Sequence, residues 1–120
     1  MNIETILENG RKIAVITSDE PLLTDAESAL DLIMAARYEA QADRIILRRE
    51  HIAEKFFVPS GGLTGDVLKK FINYQAKLAV IGDFSRVTSQ PLKDFIRECN
   101  KGKDIFFVET IETAVRKLSK

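Results

Sequence analysis

A glycine-rich stretch in the middle of the chain holds residues whose types and spacing could form a binding site. It lies between an apolar run that ends at Pro59 and a helical apolar pattern that begins at Val67. The first N–H groups of that helix have no partner within it, so they could bind an anion or a polar group held in the loop. The candidate ligand- or partner-binding residues of this loop are Ser60, Gly61, Gly62, Thr64, Gly65 and Asp66.

The glycine spacing of this loop does not match the common nucleotide-binding motifs. It lacks the Gly-x-Gly opening of a dinucleotide fingerprint, and no Gly-Lys-Ser/Thr follows as in a Walker A loop. The remaining alternatives are a small anion-binding nest and a tight turn that uses glycine for its backbone freedom. Asp66 favours the turn, because its carboxylate would repel an anion and would complement the helix dipole by itself.

A second polar segment follows Lys77–Gly82, the clearest strand pattern in the chain. Asp83 and Ser85 come directly after it. Because the carboxyl ends of parallel strands share one edge of a sheet, we expect both residues to lie beside the Ser60 loop. An aspartate at this place also commonly bonds its own backbone in a turn, so that alternative stays open. If the protein is a small enzyme, its polar site would be Asp66, Asp83 and Ser85.

The single histidine and the single cysteine suggest neither a metal site nor a disulfide. His51 and Glu54 would share a face if their segment were helical, yet no further ligands stand at a suitable spacing, and a surface histidine is the simpler interpretation. Cys99 lies on the apolar face of a predicted helix and is expected to be buried and unreactive. We therefore predict no metal and no cofactor.

Alternating strand and helix patterns predict one α/β domain over residues 1–120, with a mixed, mostly parallel sheet. Asn9-Gly10 predicts the turn of an N-terminal β-hairpin, and about four helices follow. The predicted strands are Asn2–Leu7, Lys12–Thr17, Arg44–Arg48, a short extended segment at Phe56–Val58, Lys77–Gly82 and Asp104–Glu109. The predicted helices begin at a Thr24 capping box, at Asp66, at Pro91 and after Thr110.

The apolar positions of these elements predict one common core. Its expected members are Leu30, Ile33, Ile46, Val67, Leu68, Phe71, Val80, Ile96, Phe106 and Val115.

Composition argues against wholesale electrostatic binding. Eighteen basic and eighteen acidic residues cancel, so neither nucleic acid nor a membrane surface is an expected partner. No apolar run is long enough to span a membrane, and the first residues lack the layout of a signal peptide, so we expect a cytoplasmic protein. A protein partner or a small anion is the expected ligand, and a homodimer stays open.

The segment Pro59-Ser60-Gly61-Gly62-Leu63 and the order of elements from Lys77 onward resemble STAS domains, the fold of bacterial anti-anti-sigma factors. In that family a serine at the start of a helix accepts a phosphate, and Ser60 stands at the matching place. Gly62-Leu63 matches the pair that follows, and Pro59 replaces an acidic residue. The resemblance implies a non-enzymatic interaction or regulatory module.

Other segments, among them Ile81-Gly82-Asp83-Phe84-Ser85 and Lys70-Phe71-Ile72-Asn73-Tyr74, resemble a small bacterial family known only as a domain of unknown function. This likeness covers nearly the whole chain and implies no chemistry. The two functional hypotheses are therefore an interaction module that uses the Ser60–Asp66 loop and a small enzyme.

Overall fold

A computed structural model describes residues 1–120 as one α/β domain, which confirms the predicted fold class. The strands are β1 (Asn2–Glu8), β2 (Arg11–Thr17), β3 (Arg44–Arg48), β4 (Lys77–Ile81) and β5 (Ile105–Val108). The helices are α1 (Ala26–Ala40), α2 (Leu63–Asn73), α3 (Gln90–Lys101) and α4 (Ile111–Leu118). Three short 3₁₀ turns lie between β3 and α2: Arg49–His51, Glu54–Phe57 and Pro59–Gly61.

The sheet has five strands in the order β1-β2-β3-β4-β5, which is also their order along the chain. β1 pairs with β2 in antiparallel fashion, and every later pair is parallel. Asn9 and Gly10 close the hairpin with positive φ angles of 56° and 76°, the conformation that a two-residue turn of this kind requires. The predicted hairpin is therefore confirmed.

Two separate apolar layers cover the two faces of the sheet, so the prediction of one common core is wrong. The larger layer joins buried residues of α1, α2 and α3, such as Ile33 and Phe71, to one face. The smaller layer packs α4 on the other face, against Ile46 and Phe106. Strands β2 to β5 are buried on both faces, and a wholly apolar strand does not reveal which residue points to which side.

Six of the ten predicted core residues are buried, and four are only half-buried. The half-buried ones lie at the margins of their helices' apolar faces: Leu30, Leu68, Ile96 and Val115.

Side-chain hydrogen bonds cap the starts of α1, α3 and α4, and the cap of α1 lies one residue away from the predicted position. The N-cap of α1 is Asp25 rather than Thr24: its carboxylate accepts a hydrogen bond from Ser28 N at 2.7 Å, and Ser28 Oγ accepts one from Asp25 N at 3.0 Å. Ser28 thus does the work that the sequence assigned to a glutamate. The predicted cap Thr110 is confirmed, since its hydroxyl accepts from Thr113 N at 3.1 Å.

The segment around Phe56 is a 3₁₀ turn, so the extended segment predicted there is wrong. Neighbouring side chains of a strand point to opposite faces, whereas those of a helical turn can enter the same core. Phe56 and Phe57 are both buried, and their ring centroids are 5.3 Å apart in an edge-to-face arrangement. A short apolar run does not distinguish these two conformations in the sequence.

Candidate functional site

The Ser60 loop lies between a 3₁₀ turn and the start of α2. Ser60 and Gly61 belong to the turn Pro59–Gly61 and are exposed. Gly62 has a φ of 88°, a conformation that favours glycine, and α2 begins at the next residue, three positions before the predicted start. Gly65 and Asp66 are therefore exposed residues of the first helical turn, where the Asp66 carboxylate complements the helix dipole.

Thr64 differs from the other residues of this loop because it is buried. Its hydroxyl donates a hydrogen bond to the carbonyl oxygen of Phe56, which lies in the preceding 3₁₀ turn. The bond ties this turn to the first turn of α2. Thr64 thus stabilises the loop from the buried side, and its hydroxyl proton is already used in this hydrogen bond.

Asp83 and Ser85 form a closed local turn, the alternative that the sequence left open. Asp83 Oδ1 accepts hydrogen bonds from Ser85 Oγ at 2.6 Å and from Ser85 N at 3.0 Å. The side-chain bond first and the backbone bond second lower the pKa of the Asp83 carboxyl below its ordinary value. Arg86 Nε lies 3.9 Å from Asp83 Oδ2, and the side chains of both residues are largely exposed.

An aromatic contact links the two candidate segments at the carboxyl end of the sheet. Phe57 precedes the Ser60 turn, Phe84 belongs to the Asp83 turn, and their ring centroids are 6.4 Å apart. Arg49 follows β3 and places its guanidinium carbon 4.4 Å from the centre of the Phe57 ring and 5.6 Å from that of Phe84. Arg49 also forms an ion pair with Glu54, with 3.7 Å between Arg49 Nη2 and Glu54 Oε2. No hydrogen bond joins Ser60 itself to Asp83, and their common binding role stays a prediction.

Two open clefts flank the segment from Asp83 to Ser89. One has a volume of about 380 Å³ and lies between Arg49, Arg86 and the start of α3. The other, of about 470 Å³, has Phe84, Val87 and Ile96 as its apolar residues. Its cationic residues Lys93, Arg97 and Lys101 recur every four residues along α3. We call the two clefts and the turn between them the α3 rim.

His51 is buried, with 6% of its surface exposed, so the interpretation of a surface histidine is wrong. Its ring lies under the ends of β2 and β3, with Nε2 3.4 Å from Ser18 N and Nδ1 3.4 Å from Arg48 N. Both ring nitrogens therefore face backbone N–H groups and not a ligand. No group of three or more potential metal-binding side chains exists in the structure.

Cys99 is half-buried on α3, and this shielding predicts slow reaction with thiol reagents. Burial, and to a smaller extent the nearby Glu98 carboxylate, raises the pKa of the Cys99 thiol from 9.0 to about 11. Because the thiolate is the reactive form, labelling of the folded protein near pH 8 should be slower than that of the unfolded chain by about tenfold or more. Equal rates in native buffer and in denaturant would contradict this.

The chain matches the model of one protein family, and the description of that family assigns no chemical activity. A family model described as "Domain of unknown function (DUF4180)" matches residues 8–118. The chain belongs to this family. Neither the curated proteins nor the solved structures give a match. Both candidate segments lie inside the region that defines DUF4180. None of the helices is long and apolar enough to cross a membrane.

Proposed function

We propose that the protein is a non-enzymatic interaction module, as its resemblance to STAS domains implies, whose partner binds at the carboxyl end of the sheet. The binding surface consists of the Ser60–Asp66 loop and the α3 rim. The observation that carries this proposal is the position of Arg49 over both Phe57 and Phe84. This contact holds the bases of two exposed polar loops together on a rigid scaffold, where binding residues are commonly found.

The charges of the α3 rim favour a partner with an acidic segment. Arg49, Arg86 and the three cations of α3 surround the apolar residues of the two clefts. Some of these cations have partners within the chain: Arg97 Nη2 lies 2.7 Å from Asp94 Oδ1. These partners are exposed, and exposed ion pairs are weak enough to be exchanged for those of an incoming segment. A small anion would use the same cations.

The chemistry of Asp83 and Ser85 supports binding more than catalysis. A carboxylate with a lowered pKa is a weak base, so the Asp83 carboxylate would be a poor general base for the Ser85 hydroxyl that donates a hydrogen bond to it. The ring nitrogens of His51, the only histidine, face the backbone. The proposal therefore assigns Asp83 and Ser85 the role of shaping a loop.

Site-specific photo-crosslinking tests this proposal in the cells that make the protein. A photoreactive amino acid at the exposed position Ser60 should give a discrete adduct with another protein. The same amino acid at Gln75, exposed at the opposite end of the sheet, should not. Arg86→Glu should abolish the adduct, whereas Lys103→Glu, an equal change of charge at an exposed residue near the start of β5, should leave it. Identical adducts at both positions, or an adduct indifferent to Arg86→Glu, would refute the proposal.

Ser60→Asp supplies a second test with a stability control. Ser60 is exposed and makes no side-chain hydrogen bond, so the substitution should change the free energy of unfolding by less than about 0.5 kcal/mol. The substitution places a negative charge on the proposed surface, so it should lower the affinity of the protein for an acidic partner that binds the Ser60 loop. Unchanged affinity for the crosslinked partner would show that the Ser60 loop is not part of the surface.

A further inference from the structure

The two edges of the sheet differ in how their outward backbone groups are satisfied. At β5 the side chain of Asn100 lies against the edge strand: Asn100 Nδ2 donates to Phe107 O at 3.1 Å, and Phe107 N donates to Asn100 Oδ1 at 2.8 Å. One amide side chain thus takes the place of a neighbouring strand. Edge strands without such protection are ready to pair with another chain.

At β1 no side chain performs this function, and the strand carries neither proline nor lysine. The two-residue turn makes Glu8 and Arg11 a hydrogen-bonded pair, and hydrogen-bonded and non-hydrogen-bonded pairs alternate along the hairpin. The residues that turn their N–H and C=O groups outward are therefore Ile3, Thr5 and Leu7. Leu7 is 68% exposed, so its apolar side chain is accessible to another chain that pairs with this edge.

The order of residues in β1 is complementary to itself when a second copy runs antiparallel. With Thr5 opposite Thr5 of the second copy, all seven residues of the strand pair, and Ile3 lies opposite Leu7 in both halves. Glu4 then lies opposite Ile6, and Glu8 opposite Asn2. No two like charges are directly opposite in this register, and the exposed Leu7 gains an apolar neighbour.

The neighbouring registers that use the same outward groups are less favourable. A shift of one residue pair in one direction places Glu4 opposite Glu4 of the second copy. The same shift in the other direction places Glu4 opposite Glu8. Directly opposed like charges destabilise a strand pair, so charge selects the register centred on Thr5.

We propose that two copies of this chain associate through β1 and form one continuous ten-stranded sheet. The dimer has a two-fold axis at Thr5, and each copy contributes the same surface, as closed dimers require. The partner is therefore a second copy of the chain, bound by backbone hydrogen bonds with Leu7 and Ile3 as apolar contacts. This inference is independent of the proposed function, because β1 lies at the far edge from β5 and α3.

The molecular mass in solution is the first test. Sedimentation equilibrium of the full chain at micromolar concentrations should give twice the chain mass of 13.5 kDa. Thr5→Pro removes an outward N–H that the hairpin does not use, so the monomer should fold while the dimer weakens by about tenfold or more. Thr5→Val keeps the N–H and should remain dimeric, and Leu7→Lys should weaken the dimer by a second route.

Disulfide trapping tests the register. In a Cys99→Ser background, Thr5→Cys should form an intermolecular disulfide readily, because the Cα atoms of directly opposed residues are about 5.5 Å apart. Glu8→Cys is the matched control. In the proposed register the two Glu8 positions are six residues out of step, or about 20 Å, and should not be joined.

Each of three results would overturn the proposal. A monomeric mass for the wild-type chain would exclude the second copy as the occupant of this edge and would leave it to a foreign strand. A Thr5→Pro variant that is folded by circular dichroism and still fully dimeric would place the interface elsewhere. A Glu8→Cys disulfide that forms as fast as the one from Thr5→Cys would refute the register.

Discussion

Replacing Phe56 by alanine is expected to lower the free energy of unfolding by about 3–5 kcal/mol, among the largest effects of any single substitution in this chain. The side chain is fully buried. Its ring centroid is 5.3 Å from that of Phe57, 6.4 Å from Phe107 and 6.5 Å from Phe95. These rings belong to three different parts of the chain, so no local movement can fill the cavity that alanine leaves. Urea unfolding followed by circular dichroism measures the loss.

Two further substitutions serve as comparisons for Phe56→Ala, one at a buried and one at an exposed aromatic residue. Phe71 in α2 is also fully buried, and Phe71→Ala should cost a similar amount, about 3–5 kcal/mol. Tyr38 in α1 is 85% exposed, and Tyr38→Ala should cost less than about 1 kcal/mol. If Phe56→Ala cost no more than Tyr38→Ala, the 3₁₀ turn would not be anchored in the core as described.

Replacing Asn100 by alanine should cost about 2 kcal/mol and should also expose the β5 edge. The substitution removes both hydrogen bonds to the backbone of Phe107, a residue with only 4% of its surface exposed. Water can satisfy these groups in part, which keeps the cost in the lower part of the range for two lost bonds. The uncovered edge should increase aggregation on warming, measured by light scattering alongside the unfolding midpoint.

Asn73→Ala is the control for this experiment. Asn73 is the last residue of α2, as Asn100 is near the end of α3, but it is exposed and its side chain makes no hydrogen bond. We expect its replacement to change neither stability nor light scattering by a measurable amount. Equal behaviour of the two variants would mean that Asn100 does not protect the edge.

The sequence predicts the elements well because most of them carry their own local signals. Asn9-Gly10 fixes the hairpin, and Thr110 and Gly102 mark helix ends by their chemistry. The strands β3, β4 and β5 have apolar centres bounded by polar residues. These features depend on a few neighbouring residues, which is the information that a single sequence contains.

The features that the sequence does not predict depend on distant contacts. The turn that contains Phe56 and Phe57 is stabilised by packing of these rings against those of Phe95 and Phe107, and no local sequence pattern reveals these contacts. The burial of His51 depends likewise on the end of β2, 33 residues earlier in the chain. At the candidate site, the sequence identifies the two polar segments, but it assigns no element and no role to Arg49, whose guanidinium contacts the aromatic rings of both segments.

The identical order of the strands in the sheet and in the chain has a consequence for biosynthesis. As the chain leaves the ribosome, each new strand can add to the strand made just before it, and no strand has to be inserted between two others. Pairing between elements close in sequence also favours rapid folding. The helix α4 is different, because it covers one face of the sheet but is synthesised after all five strands. Until Ala114 and Leu118 emerge, one face of the nascent sheet, including Ile46 and Phe106, stays uncovered and is open to chaperones.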